Sequence, residues 1–331
     1  MKTSSTSVRV LFAVFVLLML AVLALPLQAR ASGFPDRPIK LVVPFPPGGG
    51  TDILARLLSS RLGDELGQPV VIENRPGAST SIAAGAVAKS PADGYTMLLG
   101  TGSTFVINSI LYPNLPYDPV RDFRPVGVVS RMEMLLVLNP GVAADSVDGL
   151  IRLAKSSRGE LNYGSPGSGT PHHLAMELFK DRTGIDITHV PYKGAAPAIQ
   201  DLMGGRLQVM FLDFAASRAL IDSKKLKGIA IASLTADPRL PALPTIDASG
   251  VKGFEVSGWF GLALPAGVPD AVAARIDRAL AVAMADPAVV ERLGVAGFTP
   301  TYGNAAQMAA HMRSEHDKWA PVVRSKGITA E

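Results

Sequence analysis

Cysteine is absent from all 331 residues. No disulfide, thiolate metal site or cysteine nucleophile can form. The lipidated N-terminal cysteine that tethers some exported proteins to a membrane is excluded with them. Basic clusters are missing too: nowhere do about five to eight Lys or Arg gather into a patch. The formal charge is +4, but three of the 32 basic residues (Lys2, Arg9 and Arg30) stand in the first 31 positions beside no acid, leaving 29 basic against 28 acidic. The electrostatic footprint of a nucleic-acid binder is therefore lacking, and no nucleic-acid partner is expected. The 32 Gly and 26 Pro follow no period, which excludes a collagen-like chain. At 48 % hydrophobic and 18 % charged, the chain buries enough apolar surface to offset its ordering entropy, which excludes disorder.

Motifs for catalysis and cofactors are equally scarce. A Gly-x-Ser-x-Gly nucleophile elbow does not occur. No Gly-Lys pair exists, so there is no phosphate-loop lysine. No His-Glu-x-x-His occurs, and His172, His173, His189, His311 and His316 share no helical face for a metal. Neither cofactor nor metal is expected.

One long apolar run is present. Residues 10–25 are 16 positions without a polar side chain, preceded by Lys2 and Arg9 and followed by Pro26 and Ala29-Arg30-Ala31. As a helix this run rises about 24 Å, short of the ~30 Å hydrocarbon core. It reads as a signal peptide cleaved after Ala31. No later segment reaches the ~18 apolar residues of a membrane span, so the exported chain is expected to be soluble and unanchored.

The remainder alternates short β-branched runs with helical periods. Strands are predicted over 39–43, 70–72 and 96–99. Between them lie a helix opening at Asp52, carrying Ile53, Leu54, Leu57, Leu58, Leu62 and Leu66, and a small-residue helix over 78–89. This β-α-β-α-β order implies a parallel sheet. The middle repeats the theme, with strands near 161–163, 187–190, 209–211 and 228–232 and helices over 146–156, 172–183, 195–203 and 214–223. A strand over 254–264 and two further helices follow. The last, over 305–325, carries Met308, Met312, Trp319 and Val323 on one face, read as core. The fold class is α/β, with two sheets flanking a cleft and ligand contacts expected in the loops beyond the carboxyl ends of the strands.

Four such loops are rich in Gly, Ser and Thr. The first contains Phe45, Gly48, Gly49, Gly50, Thr51 and Asp52; its successive amides and helix N-terminus read as an anion cradle. The second holds Ala78 and Ser79, the third Thr101 and Ser103. The fourth offers Ser165, Ser168, Gly169, Thr170 and His172. None of these stretches contains Lys or Arg. The nearest cation is Lys193, free to touch ligand or to pair with Asp213. Asp213 itself either caps the helix starting at Phe214 or presents a carboxylate to the cleft, where it would repel a second negative charge and favour a hydroxyl or ammonium donor.

Several segments together resemble a known family. They are Val43-Pro44-Phe45-Pro46-Pro47-Gly48-Gly49-Gly50-Thr51-Asp52, Glu73-Asn74-Arg75-Pro76-Gly77-Ala78, Asp93-Gly94-Tyr95-Thr96, Leu115-Pro116-Tyr117-Asp118-Pro119, Leu161-Asn162-Tyr163-Gly164-Ser165, Val190-Pro191-Tyr192-Lys193-Gly194, Asp201-Leu202-Met203-Gly204-Gly205 and Trp259-Phe260-Gly261-Leu262. In this order they are similar to the extracytoplasmic solute receptors of tripartite tricarboxylate transporters, the Bug family. The resemblance implies a two-lobed Venus-flytrap of the type II periplasmic-binding-protein kind. It implies a small carboxylate held by loop amides, hydroxyls and water, and membrane transporter subunits as partners. The family commonly follows its Pro-Gly-Ala with two glycines and an asparagine; Ser79, Thr80 and Ser81 stand there in this chain.

The expected organisation is a signal peptide over 1–31, lobe one over 34–130 plus 255–331, and lobe two over 131–254. The expected product is a monomeric receptor in a Gram-negative-type periplasm, where an outer barrier retains it. Two alternatives stay open at this level: a ligand sensor of the same fold acting on a signalling partner, and an exported hydrolase using Ser168 with His172.

Overall fold

The structure is a computed structural model that describes residues 33–329 except 49, 158 and 193. The signal-peptide reading, Gly49 and Lys193 thus lie outside the described residues. The chain divides into two compact units, residues 1–36 and 37–331. Only 33–36 of the first are described, and every strand and helix named belongs to the second.

The predicted β-α-β-α-β start is present. Strands β1 (Ile39–Val43), β2 (Val70–Asn74) and β3 (Thr96–Thr101) pair in parallel, with Leu41 between Ile72 and Met97. Helix α1 (Gly50–Leu66) joins the first two. It buries Leu54, Leu58, Leu62 and Leu66 at four-residue steps, whereas Ile53, expected in that stripe, is 41 % exposed. Helix α2 (Ser81–Ala88) joins β2 to β3.

A second set of parallel strands follows: β5 (Asn162–Ser165), β6 (Thr188–Pro191) and β7 (Val209–Asp213), with β5 in the middle. Helices α4 (Val147–Ser157), α5 (Pro171–Thr183), α6 (Ala195–Met203) and α7 (Phe214–Asp222) lie in this half, with β8 (Lys227–Ile231) on an adjacent edge. The short helix α3 (Asn108–Leu111) precedes the segment that links the two sets.

That link is β4 (Phe123–Leu138), a 16-residue strand absent from the sequence reading. Its first part pairs antiparallel with β9 (Ser257–Pro265) through Glu133↔Ser257. Its last part pairs with β7 from Met134↔Asp213 onward. One strand therefore belongs to both sheets and changes partner between Glu133 and Met134. Pro125 and Gly127 sit at a register shift, where an unpaired residue is tolerated. The strand expected over 254–264 begins later, at Ser257, and runs beside β4. Helices α8 (Asp270–Ala285) and α9 (Pro287–Val295), strand β10 (Thr299–Asn304) and helix α10 (Ala305–Ser325) complete the chain. Asn304 and Gln307 close a reciprocal capping box at the start of α10. Met308, Met312, Trp319 and Val323 are buried as expected.

Gly127 lies where β4 is flanked by β9 and β10, opposite Leu262 and Asn304. A Cβ there would stand 2.5 Å from the Gly303 carbonyl oxygen, which is backbone and cannot swing aside. Gly127→Ala is expected to destabilise by about 1–3 kcal/mol, the range for overpacking, read as a lower urea midpoint at unchanged slope.

Candidate functional site

The strand-end loops converge on one cavity of about 720 Å³. From the first sheet come Phe45, Gly48, Gly50 and Thr51 after β1, Ser79 and Thr80 after β2, and Thr101, Gly102 and Ser103 after β3. From the second come Thr170 and His172 after β5 and Asp213 at the end of β7. Met132 and Met134 of β4 and Trp259 and Phe260 of β9 form its apolar base, and Glu315 and Trp319 of α10 close it. The two methionines lie two residues apart and so share one face of the strand.

The first loop is held from behind. Asp52, 2 % exposed, accepts from the Gly48 N–H (2.9 Å), Asn74 Nδ2 (3.0 Å) and Arg56 Nε (2.8 Å). Asn74 also donates to the Phe45 carbonyl (3.0 Å). Two expectations are corrected here. Asp52 sits inside the first turn of α1 and does not reach the cavity. The Gly48 amide, counted as a donor for an anion, already donates to Asp52. The Arg56 hydrogen bond, helped by Gly48 and Asn74 against the cost of burial, lowers the Asp52 pKa from 3.8 to about 2.

The second loop is strained. Ala78 (φ 45°), Ser79 (φ 47°) and Thr80 (φ 78°) are consecutive non-glycine residues in the left-handed region. Buried Asn108 fixes them, donating to the Ser79 carbonyl (2.6 Å) and to Thr80 Oγ1 (3.2 Å), while Thr104 Oγ1 also donates to Thr80 Oγ1 (3.0 Å). The backbone has thus kept a glycine-like path although the sequence places side chains there. Ser79 lines the cavity; Ala78 does not.

The fourth loop divides. Thr170 caps α5, accepting from the His173 N–H, and lines the cavity beside His172. Ser165 is fully buried, with its hydroxyl 2.7 Å from His189 Nε2. Burial pushes the His189 pKa down to about 4, so this ring stays neutral behind the loop. The Gly169 amide donates to His173 Nδ1 (2.9 Å), and a Cβ on Gly169 would meet Leu111 at 2.4 Å, so this glycine serves packing rather than ligand approach. Ser168 lines a separate crevice with His173, Glu177 and Lys326. The Ser168–His172 pairing on which the hydrolase alternative would rest is not assembled, because these residues line different cavities.

Asp213 occupies the N-cap position of α7 but makes no capping bond. Its Oδ1 lies 3.2 Å from His172 Nε2 inside the cavity. A carboxylate oxygen accepts, so His172 Nε2–H donates here, which leaves the other ring nitrogen, Nδ1. That Nδ1 is buried without a partner, as is the indole nitrogen of Trp259. Glu315 is held by Lys318 (2.5 Å) and the Trp319 indole N–H (2.9 Å).

Sequence reasoning missed Met132 and Met134 because β4 was not recognised. Trp319 was read as core alone, and its helix also carries Glu315. Trp259 stood in the Trp-Phe-Gly-Leu segment that carried the resemblance; that was the available signal. Among the described residues no three His, Asp or Glu side chains group to hold a metal, and no helix is long and apolar enough to cross a membrane.

Two sheets joined through β4, with one cavity at the ends of their parallel strands, define an α/β solute receptor of the two-lobed, type II periplasmic-binding-protein kind. Known proteins narrow the class. Residues 54–328 match the tripartite tricarboxylate transporter family receptors. Protein BugT of Bordetella pertussis is 38 % identical over 320 residues, 96 % of this chain and 98 % of its own. Among solved structures, R. palustris Rpa4515 with adipate shares 38 % identity, covering 90 % of this chain and all of its own, at a TM-score of 0.80. MatC from Rhodopseudomonas palustris with bound malate shares 31 % over 88 % of this chain and all of its own, at 0.75. The chain belongs to this family of Bug-type transporter receptors.

Two measurements test the loop geometry. Ionised Asp52 stabilises the fold, and because its folded pKa lies below 3.8 this contribution is complete above about pH 4 and lost as pH falls towards 2. Asp52→Asn is expected to lower the melting temperature at pH 7 and to flatten its decline between pH 4 and 2. Ser79→Gly removes a left-handed side chain costing roughly 1–2 kcal/mol but adds chain entropy in the unfolded state. It is expected to be neutral or stabilising by up to about 1 kcal/mol in urea unfolding, whereas an ordinary loop Ser→Gly destabilises.

Proposed function

We propose that the chain captures a small carboxylate in this cavity and delivers it, without chemical turnover, to the membrane subunits of a tripartite transporter. The observation that carries the reading is the convergence of loops from both sheets on one cavity at the strand crossing. Hydroxyls of Thr51, Ser79, Thr101 and Ser103 supply neutral donors around it, whereas Thr170 Oγ1 already donates to the Gly167 carbonyl (2.7 Å). The adipate and malate in the similar structures support a carboxylate. In this reading Phe45, Gly48 to Thr51 and Lys193 complete the ligand surroundings.

The lobes proposed are 34–130 with 255–331, and 131–254. Support comes from the strand partition: β1, β2, β3, β9 and β10 share one sheet with the first part of β4, while β5 to β8 join its last part. Two chain crossings between the proposed lobes, β4 and the segment leading into β9, permit hinge closure over a ligand. The proposed setting is the periplasm, as a monomer freed of residues 1–31. A sixteen-residue apolar run after Lys2 and Arg9 supports export.

Asp213 is proposed to choose among carboxylates by their second functional group. Its carboxylate oxygens are acceptors, which suit a hydroxyl or ammonium donor. Thermal-shift screening against a carboxylate panel tests the whole reading: a ligand at 100 times its Kd stabilises by about 2.7 kcal/mol. Binding without product formation is expected; no stabilisation by any member defeats the reading. Asp213→Asn removes the charge at constant size. It is expected to shift preference towards acids with a second carboxylate, and an unchanged ranking across the panel would show that Asp213 takes no part in selection.

A further inference from the structure

Trp259 is 2 % exposed and rigidly seated. Its ring stacks on Phe105 (centroids 5.9 Å apart, planes at 22°) and meets His311 edge-on (4.8 Å, 73°). The indole cannot turn to find a partner, and its Nε1–H has no acceptor. A buried indole N–H ordinarily donates to something. Trp259 belongs to the cavity wall, and its Nε1, itself buried, lies against the third loop. A Cβ on Gly102 would stand 2.6 Å from Nε1. Glycine at 102 therefore leaves the nitrogen room between Thr101 and Ser103, which line the same cavity.

The surroundings of that donor are apolar and aromatic: Phe45, Met132, Met134, Phe260 and Trp319. The charged side chains on the described lining are Asp213 and Glu315, both acidic; no Lys or Arg is among them. A first carboxylate can take the indole N–H and the neighbouring hydroxyls. Beyond the hydroxyls of Thr51, Ser79, Thr101 and Ser103, the wall offers a second carboxylate only ring faces, which carry negative quadrupole density, and those two acids.

We propose that the cavity takes acids with a single carboxylate on a flat apolar body, and that the Trp259 indole N–H is the donor to that carboxylate. This rests on the reading of the cavity as a carboxylate site. It departs from adipate and malate, the two dianions bound in the similar structures.

The test is calorimetric titration of the purified protein with 3-phenylpropanoate and with adipate, a dianion of similar length. The aryl acid is expected to bind at least tenfold more tightly. Trp259→Phe keeps the ring and removes the N–H. It is expected to weaken 3-phenylpropanoate at least tenfold with a melting temperature close to that of the native protein. Gly102→Ala crowds the nitrogen while keeping the indole, and gives the same loss if Trp259→Phe does not fold. Adipate binding more tightly than 3-phenylpropanoate, or an unchanged affinity in a folded variant, overturns the proposal and leaves the carboxylate reading intact. Failure of both acids, together with malate and the rest of the panel, overturns the carboxylate reading itself.

Discussion

Every feature of the cavity depends on one change of partner along β4. At Glu133 the strand is paired with Ser257 of β9; one residue later Met134 is paired with Asp213 of β7. A backbone ladder fixes register within a fraction of a residue, because a slip by one reverses every side chain. The exchange therefore fixes three things together. It points Met132 and Met134 into the cavity from below, sets the end of β7 and its carboxylate beside them, and brings β9 with Trp259 against the loop after β3. The register shifts near Pro125 and Gly127 lie within the β4–β9 ladder, six or more residues before the change of partner.

The loops above that crossing owe their shape to polar groups turned inward. Asp52 gathers Gly48, Asn74 and Arg56. Asn108 holds the Ser79–Thr80 backbone in the left-handed region. His173 accepts the Gly169 amide. Donors that a loop sequence displays are here partly consumed in holding the loop. What remains for the ligand is hydroxyl groups, aromatic edges and an indole N–H, carried on a frame with little freedom to collapse.

This division explains what was legible in the sequence. The parallel strands β1, β2 and β3 and their helices were readable because β-branched runs and three- and four-residue periods are local signals. The loops were readable as Gly, Ser and Thr clusters, and Phe45, Thr101, Ser103, Thr170, His172 and Asp213 do meet at one cavity. Strand β4 was not readable, since its identity is settled by pairing with residues far along the chain and its Pro and Gly lie at bulges. Likewise nothing in the string Pro-Gly-Ser-Gly-Thr-Pro tells that Ser168 turns to another crevice, or that Gly169 is demanded by Leu111. Which amides stay free, and which are taken by a neighbouring side chain, is a tertiary fact.

A cavity lined by neutral donors also suits a protein that must stand empty between ligands. A buried Arg or Lys facing an apolar wall would need a permanent partner; an uncompensated buried charge is costlier than an unpaired neutral donor. An orphaned indole or hydroxyl costs only about 1–3 kcal/mol, a load the frame around β4 can carry. Here the carboxylates that reach the cavity are already matched, Asp213 with His172 and Glu315 with Lys318 and Trp319. The unpaired groups are Trp259 Nε1, which is neutral, and His172 Nδ1. The empty site is therefore tolerable. Under the proposed function, an arriving carboxylate would relieve a neutral donor without breaking an existing ion pair, and its release would not have to overcome a buried charge–charge contact.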